Sequence, residues 1–332
     1  MPQKPTVLCP IDYSEHARVA LRYAALIADH FGARLLLLTV NDPLLVQAAL
    51  MAYDAAWLQL QGEHDLRDFY QATNLTCTPD PDDITYEARM GKPAPEILRA
   101  AADARADLIV MSTHGLSGAR KIFFGATTER VLRETTVPVL VTSTAGAEFK
   151  TLPDVTRAVG RILVPVDLTD ASAHQLAVAN GLAVALGVPI IVTHVIEPLA
   201  LPMRWRTHRA RADYERQTRA EDELRGLTHH VTVPVDAIVA HGDPAEEIAK
   251  LARDRRAGLL VMGLHGSPLL GPRMGSVTYR VLCLAPSLVL ALPPSPTASN
   301  LHVSSGTVPF SAVARPPCMP ATTTAVVARR RT

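Results

Sequence analysis

This chain lacks a disulfide framework. Its four cysteines, Cys9, Cys77, Cys283 and Cys318, stand far apart with no C-x-x-C pair, which excludes a redox motif and a thiolate zinc site and fits a reducing cytoplasm. Long hydrophobic runs are missing too: stretches such as Leu35–Leu38 are far too short to span a bilayer, and MPQKPTVLCPID does not read as a secretory leader. No membrane is expected as a partner. Charge of one sign is also absent. With 33 basic against 32 acidic residues there is no broad cationic surface, so nucleic acid is not expected as a partner. The near-neutral total hides an asymmetry, because Arg315, Arg329, Arg330 and Arg331 lie in a final stretch without acids. The body before it is mildly acidic.

Catalytic signatures are scarce as well. No G-x4-GK[ST] loop supplies a lysine to a leaving phosphoryl group, and no serine sits in a nucleophile elbow. His114 and His265 recur at matched places, yet no acid recurs to orient them, which favours a loop-stabilising role. His229, His230 and His241 lack paired ligands at helical spacing, so no transition metal is assigned. The chain is expected not to be an enzyme, with slow ATP turnover or self-phosphorylation left open.

What is present is a globular composition, 48% hydrophobic and 20% charged over 332 residues, enough for two domains. Sliding the chain by 155 positions lays Thr6–Pro43 on Arg161–Pro198 with 9 of 38 identities, including Pro10/Pro165, Asp12/Asp167, Gly32/Gly187 and Val40/Val195. A slide of 151 lays Gly91–Gly115 on Gly242–Gly266 with 14 of 25. The chain is one unit written twice.

Short apolar runs alternate with helical periodicity in each copy, the pattern of a parallel sheet with crossover helices. In copy one, strands are expected near 6–12, 34–40, 83–90, 107–113 and 137–143, with helices near 14–31, 44–73, 93–105 and 126–135; copy two repeats the order. Ser14, and Thr169 or Asp170, suit helix starts, and Gly32 and Gly187 suit helix exits. Each unit reads as a five-stranded, doubly wound α/β domain: 1–146 and 158–292, with residues 144–160 as linker. Residues 293–332 hold 7 Pro, 5 Ser and 6 Thr without an amphipathic period, and are expected to be a disordered tail. The final strands VPVLVTS (137–143) and APSLVLA (285–291) are the expected pairing edges, since exposed apolar edges invite aggregation.

Ligands of such sheets bind beyond the carboxyl ends of the strands, where strand order reverses. Three features should converge there. Asp12 and Asp167 end the first strands and either cap the following helix or accept a hydrogen bond from a ligand amine; the hydroxyls of Ser14 and Thr169 already offer caps, which favours the ligand. Val40 and Val195 end the second strands, as core or as wall. After the fourth strands come STHGLSGARKIFFGATTERVL and GLHGSPLLGPRMGSVTYRVL, whose glycines bare backbone amides ahead of a helix start, an arrangement that favours an anion.

These motifs resemble the universal stress protein family over residues 5–144 and 160–292: Pro-x-Asp after strand one, an HVxxP-like end to strand two, Gly-x-Pro before a helix, LIVMxxHG, and a helix opening with Gly. The resemblance implies a flavodoxin-like unit that often dimerises through its last strand. It also implies ATP as a regulatory ligand, in one half or both, with Mg only through the phosphates. Family members that bind ATP carry G-x2-G-x9-G-[ST], with adenine at the strand-one Asp and ribose and phosphates on the glycine loop. Carried over, the nucleotide residues are Pro10, Asp12, Val40, Met111, Ser112, Gly115, Gly125, Ala126 and Thr127 in copy one. In copy two they are Pro165, Asp167, Val195, Met262, Gly263, Gly266, Gly275, Ser276 and Val277. Both loops depart from the pattern. Copy one has Ser112 for the first Gly and Ala126 for the hydroxyl, while copy two has eight residues between Gly266 and Gly275, stiffened by Pro268 and Pro272. A homodimer and unidentified protein partners are further expectations. The competing reading is a nucleotide-independent interaction module.

In the second half, Arg204 to Arg225 alternate with acids as a solvated helix. Its counterpart in copy one, with Leu44, Leu45, Leu50, Met51, Trp57, Leu58 and Leu60, is apolar and covers either its own core or another surface.

Overall fold

The computed structural model describes residues 4–43, 55–75, 77–113, 125–142, 151–198, 206–264, 266–267, 271–272 and 274–294. Copy one runs β1 (Thr6–Pro10), α1 (Glu15–Phe31), β2 (Arg34–Asn41), α2 (Ala55–Ala72), β3 (Ile84–Met90), α3 (Pro93–Asp103), β4 (Leu108–Ser112), α4 (Ala126–Glu134) and β5 (Val139–Thr142). After α5 (Leu152–Val159), copy two runs β6 (Ile162–Pro165), α6 (Ala171–Leu186), β7 (Ile190–Ile196), α7 (Arg206–Thr228), β8 (Val235–His241), α8 (Pro244–Asp254) and β9 (Leu259–Gly263). The short pair β10 (Gly266–Ser267) and β11 (Gly271–Pro272) precedes α9 (Ser276–Leu284) and β12 (Leu288–Leu292).

Ten strands form one sheet in the order β3-β2-β1-β4-β5-β12-β9-β6-β7-β8. Each half is parallel, and the halves meet edge to edge where β5 and β12 run antiparallel, with Leu140 opposite Leu290. The two expected pairing edges therefore pair with each other within the chain.

Alternation along the strands loads both faces of the sheet. Val7, Leu35 and Leu37 look toward α1 and α2, where they meet Leu21, Leu66 and Phe69; Leu8, Leu36 and Leu38 look toward α3 and α4, where they meet Ile97 and Val131. Copy two repeats this with Val164 and Leu176 on one face and Leu163, Ile248 and Val281 on the other.

Gly32 and Gly187 close α1 and α6 in the left-handed conformation at φ 60° and 64°. Within the expected linker the structure places a helix instead. Asp154 Oδ2 accepts from Thr151 N at 3.0 Å and from its Oγ1 at 2.8 Å, fixing the start of α5, and Val155 and Val159 bury themselves in the core. The described part of the expected helix over 44–73 begins at Ala55; residues 44–54, like tail residues 295–332, lie outside the described residues. Leu66 and Phe69 bury its inner face, whereas Trp57 and Leu60 are exposed. The arginine-rich α7 carries Arg211–Glu215 and Arg219–Glu223 pairs at i,i+4, as a solvated helix should.

Candidate functional site

Strand order reverses between β1 and β4 in copy one and between β6 and β9 in copy two. In each copy the central ladder stops early: the last rungs are Leu8 with Ile109 and Leu163 with Leu260. Pro10 and Pro165 follow on the first strands and have no N–H to offer the next strand, so the strands part and a crevice opens at their carboxyl ends.

The acids sit at the lip of that crevice, each in the same turn. Asp12 Oδ1 accepts from Ser14 N at 3.1 Å and from Ser14 Oγ at 2.5 Å. Asp167 Oδ1 accepts from Thr169 N at 3.1 Å, Thr169 Oγ1 at 2.7 Å and Ser172 Oγ at 3.1 Å. The residue between acid and hydroxyl takes a positive φ in both copies, 62° at Tyr13 and 61° at Leu168. A side chain in the left-handed region is held there against its preference, and its recurrence marks the corner as a built feature. The capping argument made from sequence fails in part. Ser14 caps α1 by accepting from Ala17 N at 3.0 Å, but Thr169 does not cap α6, whose N-cap Asp170 makes no side-chain cap bond. Both carboxylates hold the corner.

Opposite the acids, Ser112 and Gly263 end β4 and β9. Gly125 and Gly275 are the N-caps of α4 and α9, and neither helix start receives a side-chain cap. Among the described residues no side chain caps their first-turn amides, and the helix dipole favours an anion there. A Cβ at Gly125 would lie 3.0 Å from Thr113 O, and its N donates to that oxygen at 2.7 Å, so glycine is needed for close passage. One turn on, the buried Thr128 donates Oγ1 to Ser112 O at 2.8 Å, and Thr278 reaches Gly263 O at 3.4 Å. These hydroxyls pin each helix start to the end of its strand. Ala126 and Ser276 stand exposed at the first helical positions, with Thr127 and Val277 half-buried behind them.

Met111 and Met262 are buried in the core beneath the crevice, while Val40 and Val195 are half-buried against the same cluster. Gly266 lies in the β10–β11 pair, opposite Pro272. Gly115, His114, Lys121, His265 and Pro268 lie outside the described residues. Sequence reasoning missed Gln175, a buried α6 side chain that reaches between β6 and β9; a glutamine on the apolar face of a helix was the available signal. Among the described residues no group of three or more His, Cys, Asp or Glu could hold a metal ion, and no helix is long and apolar enough to cross a membrane.

A sequence profile described as the universal stress protein family matches this chain twice, at residues 5–143 and 158–293. The chain belongs to the universal stress protein family. A universal stress protein of Mycolicibacterium smegmatis is 25% identical over 294 residues, covering 87% of this chain and 97% of its own length. Another from Thermus aquaticus is 34% identical over 136 residues, 41% of this chain and 96% of that protein. The crystal structure of a universal stress protein from Archaeoglobus fulgidus is 20% identical, with 87% of this chain and 98% of that chain covered at a TM-score of 0.57, which shows the shared fold. This universal stress protein thus carries two family units in one polypeptide. The seam between them is the β5–β12 pairing.

Proposed function

We propose that this chain is a stress-response protein of the cytoplasm that binds ATP as a regulatory ligand, with Mg held only through the phosphates. The observation that carries the reading is the convergence, at the carboxyl ends of the central strands, of the Asp-locked corner and a glycine-capped helix start without a capping side chain. The corner supplies an acceptor for a base amine and the helix start supplies amides for phosphate. A hydrogen bond to a charged group contributes about 1.5–3 kcal/mol, so three or four such amides support micromolar affinity after the costs of binding. The ligand is read as regulatory because the sequence offers no phosphate-binding lysine of the Walker type.

Isothermal titration with Mg-ATP tests this on the wild type, Asp12→Ala and Asp167→Ala. Micromolar binding that weakens at least tenfold in one of the variants is the expected result. Absence of heat in the wild type sinks the reading and leaves an interaction module. Phosphate release that one of these substitutions abolishes would make the protein an enzyme instead.

A further inference from the structure

The helices α1 and α6 pass beneath the two crevices, and at one matched position the copies differ. Copy one has Ala20; copy two has Gln175. Both side chains are buried, at 0% and 7% exposure. Gln175 Nε2 donates to Pro165 O at 2.7 Å and to Val261 O at 2.8 Å, oxygens on β6 and on β9. Its carboxamide therefore stands where the strands part and makes the cross-strand link that Pro165, lacking an N–H, does not. Because both partners are carbonyls, the donor must be the amide nitrogen, which fixes the orientation of the group. Oε1 is left beside Gly263, where a Cβ would lie 3.3 Å from it, and no described group donates to this oxygen.

Copy one makes the opposite choice at both positions. Ser112 stands in place of Gly263, and Ala20 in place of Gln175. The bare face of Gly263 is filled from within the chain, so this glycine makes room for Gln175 rather than for a ligand. In copy one no described side chain donates to Pro10 O or Val110 O, the counterparts of the two carbonyls that Gln175 satisfies.

We infer that Gln175 is a built-in occupant of the second crevice, and that the chain consequently takes one adenine nucleotide, in copy one. The inference rests on the nucleotide reading above. Its chemistry is that of mimicry: a carboxamide presents an NH2 donor beside an acceptor, as the amine and N1 of adenine do. In copy two the protein supplies that pair itself, and in copy one the two carbonyls are left for the base.

Equilibrium dialysis and native mass spectrometry of the full chain with Mg-ATP read the stoichiometry. One equivalent is expected for the wild type and two for Gln175→Ala. Ala20→Gln with Ser112→Gly moves the occupant into copy one, and should weaken binding at least tenfold while circular dichroism stays unchanged. This second variant keeps the idea testable should Gln175→Ala not fold. Two equivalents in the wild type, a single equivalent retained in folded Gln175→Ala, or affinity within twofold after the transplant each overturn the inference and leave the nucleotide reading standing. No nucleotide bound by the wild type overturns both.

Discussion

Leu140 of β5 stands directly opposite Leu290 of β12, and both are 7% exposed, so the join between the two copies is built like a core rather than a surface contact. Truncating either to Ala removes buried methyl groups at the seam and should cost about 2–5 kcal/mol in urea unfolding. Because the two side chains are neighbours across an antiparallel rung, the double variant should depart from additivity by about 0.5–3 kcal/mol. Strict additivity would mean that the two side chains do not interact across the seam.

Two glycines should respond in opposite directions to the same substitution. A Cβ on Gly258 would lie 2.1 Å from Ala158 O, at the point where α5 meets the strand β9, and Gly258 N donates to Val159 O at 2.8 Å. Backbone must shift to admit alanine, so Gly258→Ala should lose about 3 kcal/mol or more, as overpacking does at its upper end. Gly226, inside the exposed helix α7, has nothing within 4 Å of its Cβ position. Gly226→Ala should gain about 1 kcal/mol from helix propensity. Denaturant midpoints of the pair check both signs, and a loss at Gly226 would show that α7 carries a constraint beyond its own helicity.

The architecture was readable because the signals it rests on are local and appear twice. Short continuous apolar runs, Gly32 and Gly187 at helix exits and the final strands all lie where their neighbours in sequence place them. The helix α5 was overlooked because it is short and sits in an expected linker, although Thr151 and Asp154 at capping-box spacing, with Val155 and Val159 one turn apart, were its signature. The site was legible only in outline. Asp12 and Asp167 could be placed at the crevice from the strand ends, but not the Oδ1 that accepts two hydrogen bonds at Asp12 and three at Asp167, which depends on a left-handed Tyr13 or Leu168. The role of Gln175 depends on a contact 86 residues away in sequence, beyond any pattern of spacing.

Thiol reactivity should rank the cysteines by burial. Cys9 lies fully buried in β1, and desolvation, aided by the nearby Asp12 charge, raises its thiol well above the usual range. Cys77 and Cys283 are in no disulfide and only partly buried. A thiol reagent at pH 8 should label those two in the native protein and reach Cys9 only on the timescale of global unfolding. Mass spectrometry of peptides during labelling checks the order, and early modification of Cys9 would reveal local opening of the β1 corner beneath Asp12.

One ion pair ties the α9 helix start to its neighbour in copy two and sets a pH dependence. Arg280 donates to Asp243 Oδ2 at 2.6 Å and to Glu246 at 3.3 Å, so the guanidinium from α9 rests on the N-cap and first turn of α8. The Arg280 hydrogen bond, followed by that from Glu246 N, holds the Asp243 carboxyl below its ordinary value. An acid depressed in the folded state stabilises the protein above its unfolded pKa, and that contribution is lost as pH falls through the folded value. Wild type should therefore exceed Arg280→Gln by a constant margin at neutral pH. The margin should shrink once pH drops below about 4, the range of an unperturbed Asp, and vanish at more acid pH. Since the pair is largely exposed, added salt should narrow the neutral-pH difference as well. Urea titrations of both proteins between pH 7 and 2 read this directly. A margin that stays constant or grows on acidification would mean that Arg280 does not stabilise the fold through the Asp243 carboxylate.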